Sequence, residues 1–169
     1  MKHLLFIPVY NCEEQIIRVL ESIAKSKCLN YFEEVLIIDN RSNDETRQKV
    51  ENKINHPEYT KFSLYINDSN YNLGGTHKVA FNYAIEKKYD YVSILHGDDQ
   101  GEIDDLLKIL EGTKYHHFDC ILASRFHKKS ILVNYPKYKV FLNYMINFAA
   151  SFVTFRFLTD LGSCLNMFK

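Results

Sequence analysis

Short apolar runs alternate along this chain with stretches whose apolar residues recur every three or four positions. The runs His3–Val9, Val35–Asp39, Phe62–Ile66, Tyr91–Leu95 and Cys120–Ala123 have the length of buried strands. After the first run, Ile16, Val19, Leu20 and Ile23 form one helical face, opened by Asn11 as N-cap with Glu14 completing a capping box. Ser42 with Glu45 repeats that spacing and predicts a second helix, which ends before Pro57. Asn67 to Gly75 reads as a loop, with Gly74 and Gly75 leading into a helix that carries Val79, Ala80, Tyr83 and Ala84. Ile103, Leu106, Leu107 and Leu110 mark a short helix closed by Gly112. A long helix follows the fifth run, with Phe141, Tyr144, Met145, Phe148, Phe152 and Phe155 at helical spacing.

Strand–helix alternation of this kind predicts an α/β fold: a mostly parallel, Rossmann-like sheet flanked by helices. Such sheets bind ligands at the carboxyl ends of their strands. The residues to inspect are therefore the polar ones that follow each strand: Tyr10-Asn11, Asp39-Asn40, Asn67-Asp68, His96 to Gln100, and Ser124-Arg125.

Composition narrows the function classes. The 169 residues carry 21 Lys plus Arg and 21 Asp plus Glu, so the net charge is zero and nucleic acid is not an expected partner. Cys12, Cys28, Cys120 and Cys164 show neither a C-x-x-C pair nor zinc spacing and read as reduced thiols of a cytoplasmic chain. The opening residues are not expected to act as a signal peptide, because Pro8 and Asn11 end the apolar run early. Val140 to Phe155 lacks charge, but it falls short of the roughly 20 residues that span a bilayer and contains Asn143, Asn147, Ser151 and Thr154. It reads as an amphipathic helix. Its apolar stripe is expected in the core, and its neutral polar row is expected to face a groove.

The densest chemistry lies in His96-Gly97-Asp98-Asp99-Gln100. On an extended backbone His96, Asp98 and Gln100 share a face, with Asp99 pointing away. Imidazole and oxygen ligands at a strand end suit Mn2+ or Mg2+ held jointly with phosphate oxygens; a solvated acidic turn is the plainer reading. Asp39 can accept hydrogen bonds from a base or a ribose hydroxyl, or can belong to an Asx-turn that already explains Ser42 and Asp44. Asn72 to Thr76 fits a tight turn better than a phosphate cradle, although Lys78, taken as one turn into the next helix, is within reach of a diphosphate. Arg125, with His127, Lys128, Lys129, Lys137 and Lys139, is either a phosphate-binding cluster or a solvated basic loop. Asp160 gains interest if it faces the metal cluster; His3, His56, His77, His116 and His117 read as structural.

Together these residues resemble the family 2 glycosyltransferases of GT-A fold, particularly the polyprenyl-phosphate sugar transferases. Ile7 to Asn11 is similar to the opening I-P-x-Y-N, Val35 to Asp44 to V-D-D-x-S-x-D, and Asn72 to Gly75 to N-x-G-G. His96 to Gln100 resembles D-x-D-x-Q, Ser124 to Phe126 the G-S-R segment, and Asp160 to Ser163 the late D-x-x-S-G. The sequence departs from this pattern at His96 for the first Asp, Asn40 for the second Asp of D-D, Cys12 for an acidic residue, and Cys164 for the last Gly.

The resemblance implies one GT-A-like catalytic domain over residues 1–169, cut short of further acceptor-side structure. Pro8, Tyr10, Asn11, Asp39, Lys78, Asp98 and Arg125 are then expected around a UDP- or GDP-type nucleotide sugar. His96, Asp98 and Gln100 would hold Mn2+ or Mg2+, and Asp98 and Asp160 are the catalytic candidates. The implied reaction moves a sugar, with inversion, onto a polyprenyl phosphate or a glycan during cell-envelope glycan synthesis, in the cytoplasm at the inner membrane face, with peripheral membrane contact. An anionic lipid phosphate needs little general base; an acceptor hydroxyl would use Asp160. A nucleotide-sugar-binding module without turnover is the rival reading. A nucleotidyltransferase would need a basic Gly-rich loop near the amino terminus, which this sequence lacks.

Overall fold

The computed structural model describes residues 1–127, Ser130 and 136–169; Lys128 and Lys129 of the basic segment lie outside the described residues. Two compact units emerge, Met1–Ile121 with Cys164–Lys169, and Leu122–Ser163.

The first unit is built on a sheet of order β3-β2-β1-β4-β6-β5. Its strands are β1 (His3–Val9), β2 (Glu34–Asp39), β3 (Phe62–Ile66), β4 (Tyr91–Leu95), β5 (Cys120–Leu122) and β6 (Leu165–Phe168). β1 runs parallel to both β2 and β4, and β2 parallel to β3. Every residue of β1 is buried, as its unbroken apolar run requires in a sheet covered on both faces. Leu4, Phe6, Leu36, Ile38, Val92 and Ile94 pack on one face against Ala80 and Ala84 of α3 (Asn72–Lys87). Alternation sends Leu5 and Ile7 to the opposite face. The helices α1 (Ile16–Lys25), α2 (Thr46–Ile54) and α4 (Ile103–Leu110) complete this unit, and α1 buries the predicted stripe Ile16, Val19, Leu20 and Ile23.

Successive connections leave β1 toward β2 and β3 on one side and return to β4 on the other. The strand order therefore reverses between β1 and β4, which opens a crevice at their carboxyl ends.

Local expectations change in four places. Neither capping box forms: α1 is preceded by Gln15 and α2 by Glu45, with no side-chain cap on either. Asn11 and Ser42 bond instead across the gap between two strand ends. α3 begins at Asn72, so Gly74 and Gly75 lie in its first turn rather than in a loop. A Cβ at Gly75 would sit 2.6 Å from the Tyr71 Cβ, so the glycine permits a close approach. The fifth strand ends one residue early, at Leu122. The largest addition is β6, which inserts antiparallel beside β4 with Leu95 opposite Leu165 and Val92 opposite Phe168.

The second unit contains α5 (Lys137–Thr154). Its expected orientation is reversed. Phe141, Phe148 and Phe152 are exposed, whereas Asn147 is buried. Asn147 donates to the Thr159 carbonyl at 2.8 Å and accepts from the Leu161 amide at 3.1 Å. Ser151 accepts from the Leu158 amide at 2.9 Å. Asn147 and Ser151 of the polar row thus satisfy the backbone of an irregular return segment, a demand that no apolar side chain can meet, whereas Asn143 and Thr154 donate to carbonyls of their own helix. Among the described residues no helix is long and apolar enough to cross a membrane.

Candidate functional site

The ends of β1, β2 and β4 surround a hollow of about 250 Å³, walled by Pro8, Val9, Tyr10, Cys12, Asn40, His96, Gly97 and Asp98, with Asn70, Asn72, Leu73 and Thr76 from the approach to α3 and its first turns. Backbone bonds bind these ends together. The Gly97 amide donates to the Pro8 carbonyl, Asn40 to Val9, and Asn67 to Asp39, at 2.9–3.1 Å. Gly97 lets the segment after β4 lie against β1: a Cβ there would come within 2.5 Å of Val9 Cγ1 and 3.3 Å of the Pro8 carbonyl oxygen.

A polar network stitches the β1 and β2 ends. The Asn11 amide donates to Ser42 Oγ at 3.0 Å, and Ser42 Oγ donates to Asp39 Oδ1 at 2.5 Å. Asn11 Oδ1 accepts from the Asn43 amide at 2.8 Å. Asp39 is 1% exposed, and its carboxylate closes the turn onto Ser42. The Asx-turn reading therefore extends to Asp39 itself. Tyr10 is 47% exposed beside the hollow and offers its ring to a ligand.

Asn40 organises the next wall. It donates to Asn70 Oδ1 at 2.8 Å and accepts from Asn67 Nδ2 at 3.0 Å and from the Tyr71 amide at 2.9 Å. A carboxylate at this position could accept but not donate, so the amide suits an asparagine-rich network. Asn67 Oδ1 is buried with no hydrogen-bond partner among the described residues. Cys12 is buried on the wall, and burial pushes its thiol up to about 11, so it stays protonated at neutral pH.

At the end of β4 the chain does not stay extended. It turns at Gly97–Asp98, and Asp99 adopts a left-handed φ of 63°. The simple alternation argument for His96, Asp98 and Gln100 thus fails geometrically. Gln100 is exposed, with its amide 3.3 Å from Asp98 Oδ1. Asp99 turns elsewhere and pairs with Arg18 at 2.8 Å.

Cys164 enters instead. One ligand atom each from His96, Asp98 and Cys164 lie within 4.8 Å of one another. Around one tetrahedral ion, such donors are separated by about 3.5 Å, so a modest side-chain contraction would close them on a cation. Sequence reasoning missed Cys164 as a ligand candidate, although it stood out as a departure from the late S-G.

Lys78 is exposed in the second turn of α3 and is not part of the wall; the earlier start of the helix carries it further along. In the second unit Arg125 and Asp160 meet each other. Arg125 donates through Nε at 2.8 Å, an Nη at 2.9 Å and its backbone amide at 2.9 Å, and the Gly162 amide adds a bond at 3.0 Å. Burial pushes the Asp160 carboxyl up, but the Arg125 and Gly162 bonds outweigh it and hold the pKa below the usual range. A base role for Asp160 therefore requires this pair to open.

Residues 5–169 match the family described as Glycosyl transferase family 2. The poly(ribitol-phosphate) beta-N-acetylglucosaminyltransferase TarS of two Staphylococcus aureus strains is 30% identical over 123 residues, which cover 72% of this chain and 20% of TarS. The chain thus spans about a fifth of the length of these curated relatives. The crystal structure of S. aureus TarS 1–349 is 25% identical with a TM-score of 0.58, covering 80% of this chain and 39% of that one. The mannosyltransferase PcManGT from Pyrobaculum calidifontis, in complex with GDP-Man and Mn2+, is 17% identical with a TM-score of 0.64, covering 99% of this chain and 44% of that one. At 17% identity the likeness concerns the fold, and that fold is the GT-A-type α/β arrangement expected above. The match along nearly the whole chain settles its descent: it belongs to glycosyl transferase family 2.

Proposed function

We propose that this chain forms the nucleotide-sugar-binding part of a glycosyltransferase that moves a sugar, with inversion, from a UDP- or GDP-type donor to an acceptor. The observation that carries the reading is the hollow at the β1–β4 reversal, where Tyr10, Asn40, His96 and Asp98 converge. Family membership supports it, as do the donors of similar proteins: PcManGT has been solved with GDP-Man, and TarS 1–349 with UDP-GlcNAc.

In this reading the Tyr10 ring and Pro8 flank the base. Asn11 and Asp39 hold the ribose side through the Ser42 turn. His96 and Asp98 hold a divalent cation, with Gln100 and Lys78 toward the diphosphate. The cation, when bound, supplies positive charge that offsets the charge developing on the departing diphosphate. Asp160 orients Arg125, a cation of the chain's own, and serves a hydroxyl acceptor as base if their pair opens. The acceptor is a lipid phosphate or a glycan. The outward apolar face of α5 supports the lipid alternative, with the protein at the inner face of the membrane.

Thermal unfolding with UDP, GDP, CDP and ADP, each with and without divalent cation, tests the binding half, because a ligand of the native state raises Tm. The expected result is a Tm rise with one nucleotide that is enhanced by the cation and lost in Asp98→Asn. Release of that nucleotide from its sugar conjugate tests the transfer half. A bound donor that is never cleaved identifies the rival binding module, and no Tm rise with any nucleotide overturns the reading.

A further inference from the structure

We propose that the cation site is a zinc site with a thiolate ligand: His96 through an imidazole nitrogen, Asp98 through a carboxylate oxygen, and Cys164 through Sγ. The inference deepens the donor-site reading, since it concerns the metal that the hollow would use.

Sheet register places the thiol. β6 pairs antiparallel with β4, and its first residue, Leu165, lies opposite Leu95, the last residue of β4. One step further along both strands, His96 and Cys164 are the residues that leave the pair at the same end. Asp98 folds back toward them through the Gly97–Asp98 turn. The three ligand atoms lie within 4.8 Å of one another. Gly101 passes close to both strands: a Cβ there would lie 3.0 Å from Leu95 Cδ1 and in ordinary contact with Cys164 Cβ at 4.0 Å. Two backbone segments 68 positions apart in sequence therefore present nitrogen, oxygen and sulfur donors to one point, at the rim of the hollow that His96 and Asp98 line.

The donor set selects the ion. Carboxylate, carbonyl and water oxygens suit Mg2+ and Mn2+, whereas a thiolate beside an imidazole suits Zn2+, which also lies above Mn2+ in the Irving–Williams order. Three protein ligands leave an open position on a tetrahedral zinc ion, the arrangement of catalytic rather than structural zinc sites. In the proposed donor site that position would be open to a diphosphate oxygen. Binding replaces the Cys164 S–H bond by a Zn–S bond and releases the proton to solvent, so affinity rises with pH.

The test uses the intact chain, stripped of metal by a chelator and titrated with Co2+ as a spectroscopic stand-in for zinc. The expected result is a thiolate-to-cobalt charge-transfer band in the near ultraviolet, abolished by stoichiometric Zn2+. Cys164→Ser should lose the band and bind Zn2+ on the order of 10-fold or more weakly, with Mn2+ affinity changed far less. Circular dichroism of that variant verifies folding. In a Cys120→Ser background, which removes the exposed cysteine, Zn2+ should also protect Cys164 from alkylation at unaltered sequence around the site. No charge-transfer band in the native chain, or equal Zn2+ affinity in folded Cys164→Ser, overturns the zinc–thiolate site. Because neither readout involves nucleotide, a missing band with intact nucleotide binding overturns this inference alone. A clear band without nucleotide binding supports the metal site and overturns the donor-site reading.

Discussion

All seven residues of β1 are buried, whereas in the eighteen-residue α5 the buried residue is Asn147. Both segments are strongly apolar. The difference shows what an apolar pattern reports: a surface that profits from cover, without saying which part of the chain supplies it. β1 lies between two parallel neighbours and beneath helices, so its side chains on both faces are enclosed. At α5 the irregular return segment uses Asn147 and Ser151, because its backbone groups need hydrogen-bonding partners that apolar side chains cannot supply.

The largest effect expected from this contrast is in β1. Phe6→Ala should cost about 3–5 kcal/mol of stability, the cost of emptying a fully buried aromatic site, measured by urea unfolding. A loss below about 1 kcal/mol would mean that the sheet is far less tightly enclosed than its burial indicates.

The buried start of β1 also carries a pH signature. His3 is 4% exposed with Nε2 2.9 Å from Ser93 Oγ, and burial lowers its pKa from 6.5 to about 4. The unfolded chain therefore binds the proton first as pH falls. The stability that neutral His3 provides is complete above about pH 6.5 and is lost as pH falls toward 4, by about 3 kcal/mol in all. His3→Gln should flatten this part of the stability–pH curve; an unchanged slope would remove His3 as its source.

In α5 the order of importance inverts. Asn147→Ala leaves the Thr159 carbonyl and the Leu161 amide without their side-chain partners and should cost about 1–3 kcal/mol, with faster amide exchange at Leu161. Phe148→Ser, at a residue 75% exposed, should change stability by no more than about 0.5 kcal/mol. A larger loss from Phe148→Ser than from Asn147→Ala would show that the apolar face is covered in solution.

The candidate site was partly legible in the same sense. Tyr10 and His96 directly follow apolar runs, Pro8 sits near the end of the first run and Asp98 two residues past His96, and the parallel topology places such residues at one end of the sheet. The capping boxes misled because Asn11 and Ser42 have two possible sets of partners. Spacing shows the helical amides nearby, but not the strand-end loop 31 residues away that Asn11 bonds instead. The face-sharing argument for Gln100 failed because Asp99 enters the left-handed region, which ends strand alternation. Asn40, a departure from the family pattern in sequence, is in the structure the residue on which Asn67, Asn70 and Tyr71 converge.

The sequence by itself determined the alternation of strands and helices, the buried faces of β1 and α1, and the polar positions at the strand ends, because these follow from periodicity within a few residues. Tertiary structure decided that Cys164 stands beside His96 and Asp98, and that Asp160 holds Arg125. β6 is four residues long, too short for its alternation to stand out, and its place beside β4 is set by interstrand hydrogen bonds between segments far apart in the chain. Register is a property of the pair of strands, so neither strand's own pattern contains it.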